Sequence, residues 1–278
     1  MNHSPTQQWM GVGRTDIGRV RKLNQDAFSL HDDLQLWVLA DGMGGHAGGE
    51  VASQITIETI PQEFQQQLDS EPSSSPPAAT VERFVVQAIE TANQRIREQA
   101  NQRAEIKGMG TTIVVVAITR TQQGSQAIIA HSGDSRAYIF RNKCLTLWTK
   151  DHTLMEERLA LNLITPEQVR THPLRHVLTK ALGIDPQALP TVKTYSLEPP
   201  DLLLLCSDGL TKMMEDPEIQ TLMAREAPDS VRIKNTLVDT ANRLGGEDNT
   251  TVVVIGLDAD QTLMDADHTL TDLPRSTV

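Results

Sequence analysis

Five aspartates in this chain share one setting, the end of an apolar, strand-like run beside glycine or another small polar residue: Asp26, Asp41, Asp134, Asp208 and Asp248. A single residue of this kind is ordinarily a turn former or a helix cap. Five of them joined to buried strands call for a fold that gathers strand ends along one edge, where their mutual repulsion needs cations to offset it. Oxygen-only ligands select Mg²⁺ or Mn²⁺ over zinc, and no cluster of histidines and cysteines in the sequence competes for that role. The richest setting is Asp41-Gly-Met-Gly-Gly-His-Ala-Gly-Gly-Glu50, preceded by a buried strand from Leu34 to Ala40 and followed by a helix. Five glycines within eight residues remove side-chain bulk there, so backbone carbonyls and amides can approach an ion or a phosphate.

Trp9 to Asp16 alternates in polarity, and an Asp32-Asp33 turn joins Ala27–Leu30 to Leu34–Ala40. This predicts an antiparallel hairpin with Asp26 and Asp41 at the same open end. Val51 to Leu68, which contains Pro61, and Val81 to Arg103 predict two helices in an αα-hairpin, joined by a serine- and proline-rich loop over 69–80. Met109–Ile118 and Ser125–His131 predict a buried strand pair, which Ala137–Phe140 and Cys144–Trp148 continue as a meander. From Lys150 to Pro190 short helical pieces alternate with proline and glycine breaks, Thr165 serving as a cap, so this segment is an insertion between strands. Asp201–Gly209 returns to a buried strand, Asp216–Leu244 supplies two helices, and 245–255 turns into a last core strand. Residues 258–278 are polar and acidic without period, and a disordered tail is expected. Locally paired strands, two separate groups of helices and no regular strand–helix alternation define an α+β chain. Two sheets packed face to face, with helices outside each in an α-β-β-α order, use all these parts.

Thirty-six acidic against 25 basic residues give a formal charge of −11, which speaks against nucleic acid or an anionic membrane as the main partner. The longest apolar runs, 113–118 and 202–206, are far too short to cross a bilayer. Cys144 and Cys206 each lie in an apolar run and are read as reduced core residues, which implies a reducing, cytoplasmic compartment.

In chain order, Arg21-Lys-Leu-Asn-Gln-Asp26, Asp41 to Glu50, Gly110-Thr-Thr, Gly133-Asp-Ser-Arg136, Ser207-Asp-Gly-Leu210 and Asp248-Asn-Thr-Thr-Val-Val-Val254 resemble the successive motifs of the metal-dependent serine/threonine protein phosphatases of type 2C, in their compact bacterial form. The resemblance covers residues 9–257, with the variable flap of that family at about 150–190. It implies a β-sandwich flanked by helices on both sides, with two tightly held Mn²⁺ or Mg²⁺ ions at one end and a third, weaker one. The activity it implies is hydrolysis of phosphoserine and phosphothreonine on proteins, with water between two ions as nucleophile. By the same resemblance Asp41 bridges two metals and the Gly42 carbonyl binds one of them, Asp208 and Asp248 complete the first ion's shell, Asp26 lies beside the second ion, and Asp134 belongs to the third.

Arg21 matches the arginine that takes the phosphate oxygens, a task suited to its planar, permanently charged fork. Met43 stands where many eukaryotic members carry the histidine proposed as general acid, which leaves His46, His176 or metal-bound water as proton source. Gln25 replaces a glutamate of many relatives and removes one negative charge near the second ion. Thr153, Arg175 and His176 are the substrate contacts expected from the flap. A cysteine-dependent mechanism would need arginine six positions after the thiol, where Lys150 and Lys212 stand. The expected partners are phosphorylated proteins, met by a cytoplasmic monomer without nucleic acid or membrane.

Overall fold

Stretches such as Leu36–Ala40, Ile113–Ile118 and Leu202–Cys206 are apolar at every position rather than every second one, as strands covered on both faces must be. The computed structural model describes residues 8–44, 48–73, 75–122, 124–187 and 189–257, and in it these stretches are the central strands of two sheets. The chain runs through β1 (Trp9–Asp16), β2 (Asp26–His31), β3 (Leu36–Met43), α1 (Gly48–Ser70), α2 (Ala78–Gln102), β4 (Gly110–Thr111), β5 (Ile113–Thr121), β6 (Gly124–Ser132), β7 (Arg136–Arg141) and β8 (Cys144–Leu147). It continues with α3 (Leu154–Ala160), α4 (Pro166–Thr171), β9 (Thr191–Ser196), β10 (Leu202–Cys206), α5 (Asp208–Thr211), α6 (Asp216–Glu226), α7 (Ser230–Leu244) and β11 (Thr250–Leu257).

One sheet has the order β1-β11-β10-β7-β8 and the other β2-β3-β5-β6-β9, with β4 paired to β3. Successive side chains of a strand point to opposite faces, and that alternation builds three apolar layers. Trp37, Leu39, Val114, Val116, Leu203, Leu205, Val253 and Ile255 fill the space between the sheets. Leu36, Val38, Ile113, Val115 and Ala117 pack instead against Phe64, Val85, Ile89 and Ile96 of the α1/α2 hairpin. On the other side Leu202, Leu204, Cys206, Val252 and Val254 pack against Ile219, Met223, Leu237 and Val238 of α6 and α7. The result is the α-β-β-α order expected.

Three local expectations are corrected. The meander does not continue past β6, because β7 pairs with β10 in the opposite sheet, so the loop around Asp134 carries the chain across the sandwich. Cys206 is buried but Cys144 is exposed: it opens the edge strand β8, which has a neighbour on one side only. Thr191–Ser196, not expected as a strand, pairs with β6 as the edge strand β9. The tail expected over 258–278 lies outside the described residues.

Candidate metal centre

The site begins with register. Antiparallel pairing of β2 with β3 makes Asp26 and Asp41 direct cross-strand partners. Just beyond, a Cβ on Gly42 would collide with the Gly49 carbonyl, so only glycine lets the end of β3 lie against the first turn of α1. Asp41 is fixed through its backbone oxygen, which accepts from Thr112 N at 2.8 Å and from Thr111 Oγ1 at 2.9 Å. Asp134 follows Gly133, whose φ of 109° and packing on Thr112 also require glycine. At the end of β10, Asp208 opens α5. Asp248 precedes β11 and is held by its neighbour Asn249, whose Nδ2 donates to Ile17 O and Leu23 O and whose Oδ1 accepts from Gln25 N.

These strand ends bring Asp26, Asp41, Asp134, Asp208 and Asp248 together, and their electrostatics show it. Burial pushes Asp41 well above the ordinary carboxylate range, and the charges of Asp26, Asp208, Asp134 and Asp248 push it further. Burial raises Asp26 to about 6, against hydrogen bonds from Thr251 and Ser207, with the charge of Asp208 adding to the rise. Asp134 is raised to about 7 by burial and then by Asp208 and Asp151. Asp26 Oδ2 accepts from Ser207 Oγ and Thr251 Oγ1, both at 2.7 Å, whereas its buried Oδ1 has no hydrogen-bond partner among the described residues. A cluster of buried carboxylates that resist ionising together, with an unsatisfied oxygen among them, fits the donor set of a hard divalent cation.

Among the described residues no group of three such side chains is set closely enough to hold a metal ion as it stands, although the charges of four other carboxylates act on Asp41. Protein cations draw on two of these carboxylates. Lys212 Nζ lies 2.5 Å from Asp208 Oδ2 and 2.8 Å from Asp248 Oδ2, and Arg21 Nη2 lies 2.8 Å from the same Asp248 oxygen. Burial opposes the Lys212 charge, but Asp208 and Asp248 outweigh it and hold the ammonium above its ordinary value.

Asp41, Asp134, Asp208 and Asp248 border a cleft of about 510 Å³ that Arg21, Gln25, Met43, Thr112, His176, Lys180 and Lys212 also line. Arg21 is half exposed at its mouth. Burial, then Lys212 and Arg175, lower the pKa of His176, against the pull of Asp208 and Asp248. Arg175 is exposed and is not among the cleft-lining residues. Thr153 is corrected as a substrate contact: it is buried and its hydroxyl caps α3 by accepting from Glu156 N at 3.2 Å. His46 lies outside the described residues.

Sequence reasoning passed over several residues that hold the site. Asn249 and Ser207 act through contacts more than 180 positions away, for which a single sequence offers no signal. The root of the flap is fastened next to Asp134 by Arg136, which grips both oxygens of Asp151 at 2.9 and 2.7 Å. Beside it the His131 and His152 rings stack with centroids 4.5 Å apart. His152 Nδ1 accepts from Gly133 N, and burial followed by His131 and Lys180 lowers its pKa to about 3. Lys212 had a readable signal, since it stands four residues after Asp208 and a helical turn places such a pair on one face.

The family model of protein phosphatase 2C matches residues 18–251. The serine/threonine phosphatase stp of Listeria monocytogenes is 33% identical over 256 residues, spanning 91% of this chain and 98% of that protein. The solved serine/threonine phosphatase of S. agalactiae superposes with a TM-score of 0.78 at 32% identity, covering 90% of this chain and 100% of that one. The catalytic domain of the serine/threonine protein phosphatase PstP, solved in complex with two manganese ions, superposes with a TM-score of 0.74 at 33% identity, covering 91% of this chain and 99% of its own.

Proposed function

The chain belongs to the protein phosphatase 2C family, and from that premise we propose that it hydrolyses phosphoserine and phosphothreonine on proteins with Mn²⁺ or Mg²⁺ held at the aspartate cluster. Its reaction is metal-dependent protein dephosphorylation. The observation that carries this reading is the convergence of four further carboxylates on the buried Asp41, next to the half-exposed guanidinium of Arg21.

Asp41, Asp208 and Asp248 are proposed to hold a first ion, Asp41 and the Gly42 carbonyl with Asp26 nearby a second, and Asp134 a third that is bound more weakly. Divalent ions held by these residues would activate water as the nucleophile and offset charge on the phosphoryl oxygens. The orphaned Oδ1 of Asp26 suits a direct or water-mediated contact with a cation, while its Oδ2 is fixed by Ser207 and Thr251. Arg21, anchored by one nitrogen to Asp248, presents a planar fork to the phosphate oxygens and orients the ester. His176 is the described histidine that lines the cleft, so it is the side chain proposed to hand a proton to the departing serine or threonine oxygen.

The proposal extends to one catalytic unit over 9–257 that acts as a cytoplasmic monomer on phosphorylated proteins and reverses regulatory phosphorylation. Among the described residues no helix is long and apolar enough to cross a membrane. Hydrolysis of a phosphothreonine peptide, p-nitrophenyl phosphate and a cyclic nucleotide, each with and without Mn²⁺, tests the reading. Turnover of the first two only, and only with metal, supports it; turnover of the cyclic nucleotide alone would replace it with a phosphodiesterase.

A further inference from the structure

The most unusual feature of the cluster is that a protein ammonium already sits between two of its carboxylates. α5 and the turn after it place Lys212 four residues beyond Asp208, with Lys212 N bonded to Asp208 O at 2.8 Å, so both side chains leave one face of the turn. Asp248 comes from the loop ahead of β11, and each of its oxygens is engaged. Oδ1 accepts from Asn249 N at 2.9 Å, and Oδ2 accepts from Arg21 and from Lys212, each at 2.8 Å. With two cationic donors on Oδ2, its lone pairs are taken up.

We propose that Lys212 is a built-in competitor for the divalent cation at Asp208 and Asp248: its ammonium holds this pair in the metal-free protein and must leave it when the ion binds. The inference rests on the metal-centre reading above and concerns what this chain adds to it. An ion that coordinates both carboxylates needs lone pairs now given to Lys212, and a divalent charge cannot share that space with an ammonium. The Lys212 side chain is only 25% exposed, and its partners 17% and 15%, so the interaction is shielded from the solvent screening that makes open surface pairs nearly worthless. Lysine also suits a displaceable occupant, being a compact point charge on a flexible stem that regains full hydration when it swings into the cleft. Held in place, the ammonium keeps mutually repelling carboxylates together before an ion arrives. Once the ion arrives, the same contact subtracts from its affinity, because the binding-competent arrangement is only a fraction of the population.

The test is calorimetric titration of Mn²⁺ into the full chain stripped with EDTA, comparing wild type, Lys212→Met and Lys212→Arg at one ionic strength, with thermal melts alongside. Lys212→Met should bind Mn²⁺ at least about fivefold more tightly than wild type. It should melt lower than wild type without metal and gain more on adding Mn²⁺, while Lys212→Arg stays near wild type because the competing charge is kept. Equal or weaker Mn²⁺ binding by Lys212→Met overturns the competition and leaves the metal centre intact, whereas a wild-type protein that takes up no Mn²⁺ overturns both. Should Lys212→Met fail to fold, wild type carrying ¹³C-methylated lysines decides the matter. The Lys212 resonance must shift as Mg²⁺ saturates the protein, and a resonance that stays in place overturns the proposal.

Discussion

The hydroxyl of Ser207 donates to Asp26 Oδ2 at 2.7 Å across 181 residues of chain. Ser207 directly follows the β10 strand of one sheet and Asp26 begins β2 of the other, so this bond ties the sandwich shut at the edge where the carboxylates meet. The same oxygen of Ser207 accepts from Thr251 N at 2.9 Å. Ser207→Ala therefore strands a buried N–H and withdraws one donor from a buried carboxylate. A loss of about 1 to 3 kcal/mol in urea unfolding is expected. A change below about 0.5 kcal/mol would mean that another donor takes over.

Removal of metal should abolish activity. With EDTA the turnover of a phosphopeptide is expected to fall to background and to return on adding Mn²⁺ or Mg²⁺, since the attacking water depends on the ions for its activation. Full turnover in protein shown by elemental assay to be metal-free would refute the assignment.

Asp134 joins the other carboxylates from the loop that crosses between the sheets. Asp134→Ala should keep the fold and the two tightly held ions but lower kcat at least about tenfold, equivalent to roughly 1.4 kcal/mol of transition-state stabilisation. Asp208→Ala and Asp248→Ala should lose the first ion as well. Metal titration beside kinetics separates the cases, and wild-type kcat in Asp134→Ala would reduce the residue to a turn former.

Metal uptake should tighten as pH rises. Burial and repulsion lift Asp26 from the ordinary 3.8 to about 6 and Asp134 to about 7. Metal-free folded protein thus retains protons that the unfolded chain gives up near 3.8, and these groups stabilise it fully below that pH and lose their contribution as pH climbs through 6 and 7. His152, lowered to about 3, acts in the opposite sense below the ordinary imidazole range, so ion binding is a cleaner readout than melting. Mn²⁺ affinity should increase between about pH 5.5 and 7.5 with protons released on binding, countable by calorimetry in buffers of different ionisation enthalpy. A flat profile would contradict the raised values.

Much of this architecture was legible because the central strands are covered on both faces and therefore read as unbroken apolar runs, and because runs such as Leu36–Ala40 and Leu202–Cys206 lead into an aspartate. The edges were not. β9, with the sequence Thr-Val-Lys-Thr-Tyr-Ser, is half solvated and lacks that signature, and Cys144 was assigned to the core because the exposure of an edge strand depends on neighbours that sequence does not list. The passage of β7 into the opposite sheet defeats any rule of local pairing, since only Gly133, Asp134 and Ser135 carry the chain across. At the site, the carboxylates could be read from their strand ends. Thr153 could not be told from a contact residue until its hydroxyl was seen capping a helix, and Lys212 gains its meaning from Asp248, 36 positions away.

β1 is zipped along its whole length to β11, the last described strand, and Ser207, Asp208, Asp248 and Thr251 all belong to the final third of the chain. A ribosome making this protein therefore exposes Asp26 and Asp41 long before anything that completes them. Folding of the earlier sheet can proceed during synthesis, but until the last strand emerges and slots between β1 and β10, Asp26 lacks the Thr251 hydroxyl and Arg21 the Asp248 carboxylate that anchors it. The growing chain is thus a silent enzyme, unable to strip phosphate from its neighbours until β11 has been made and has paired.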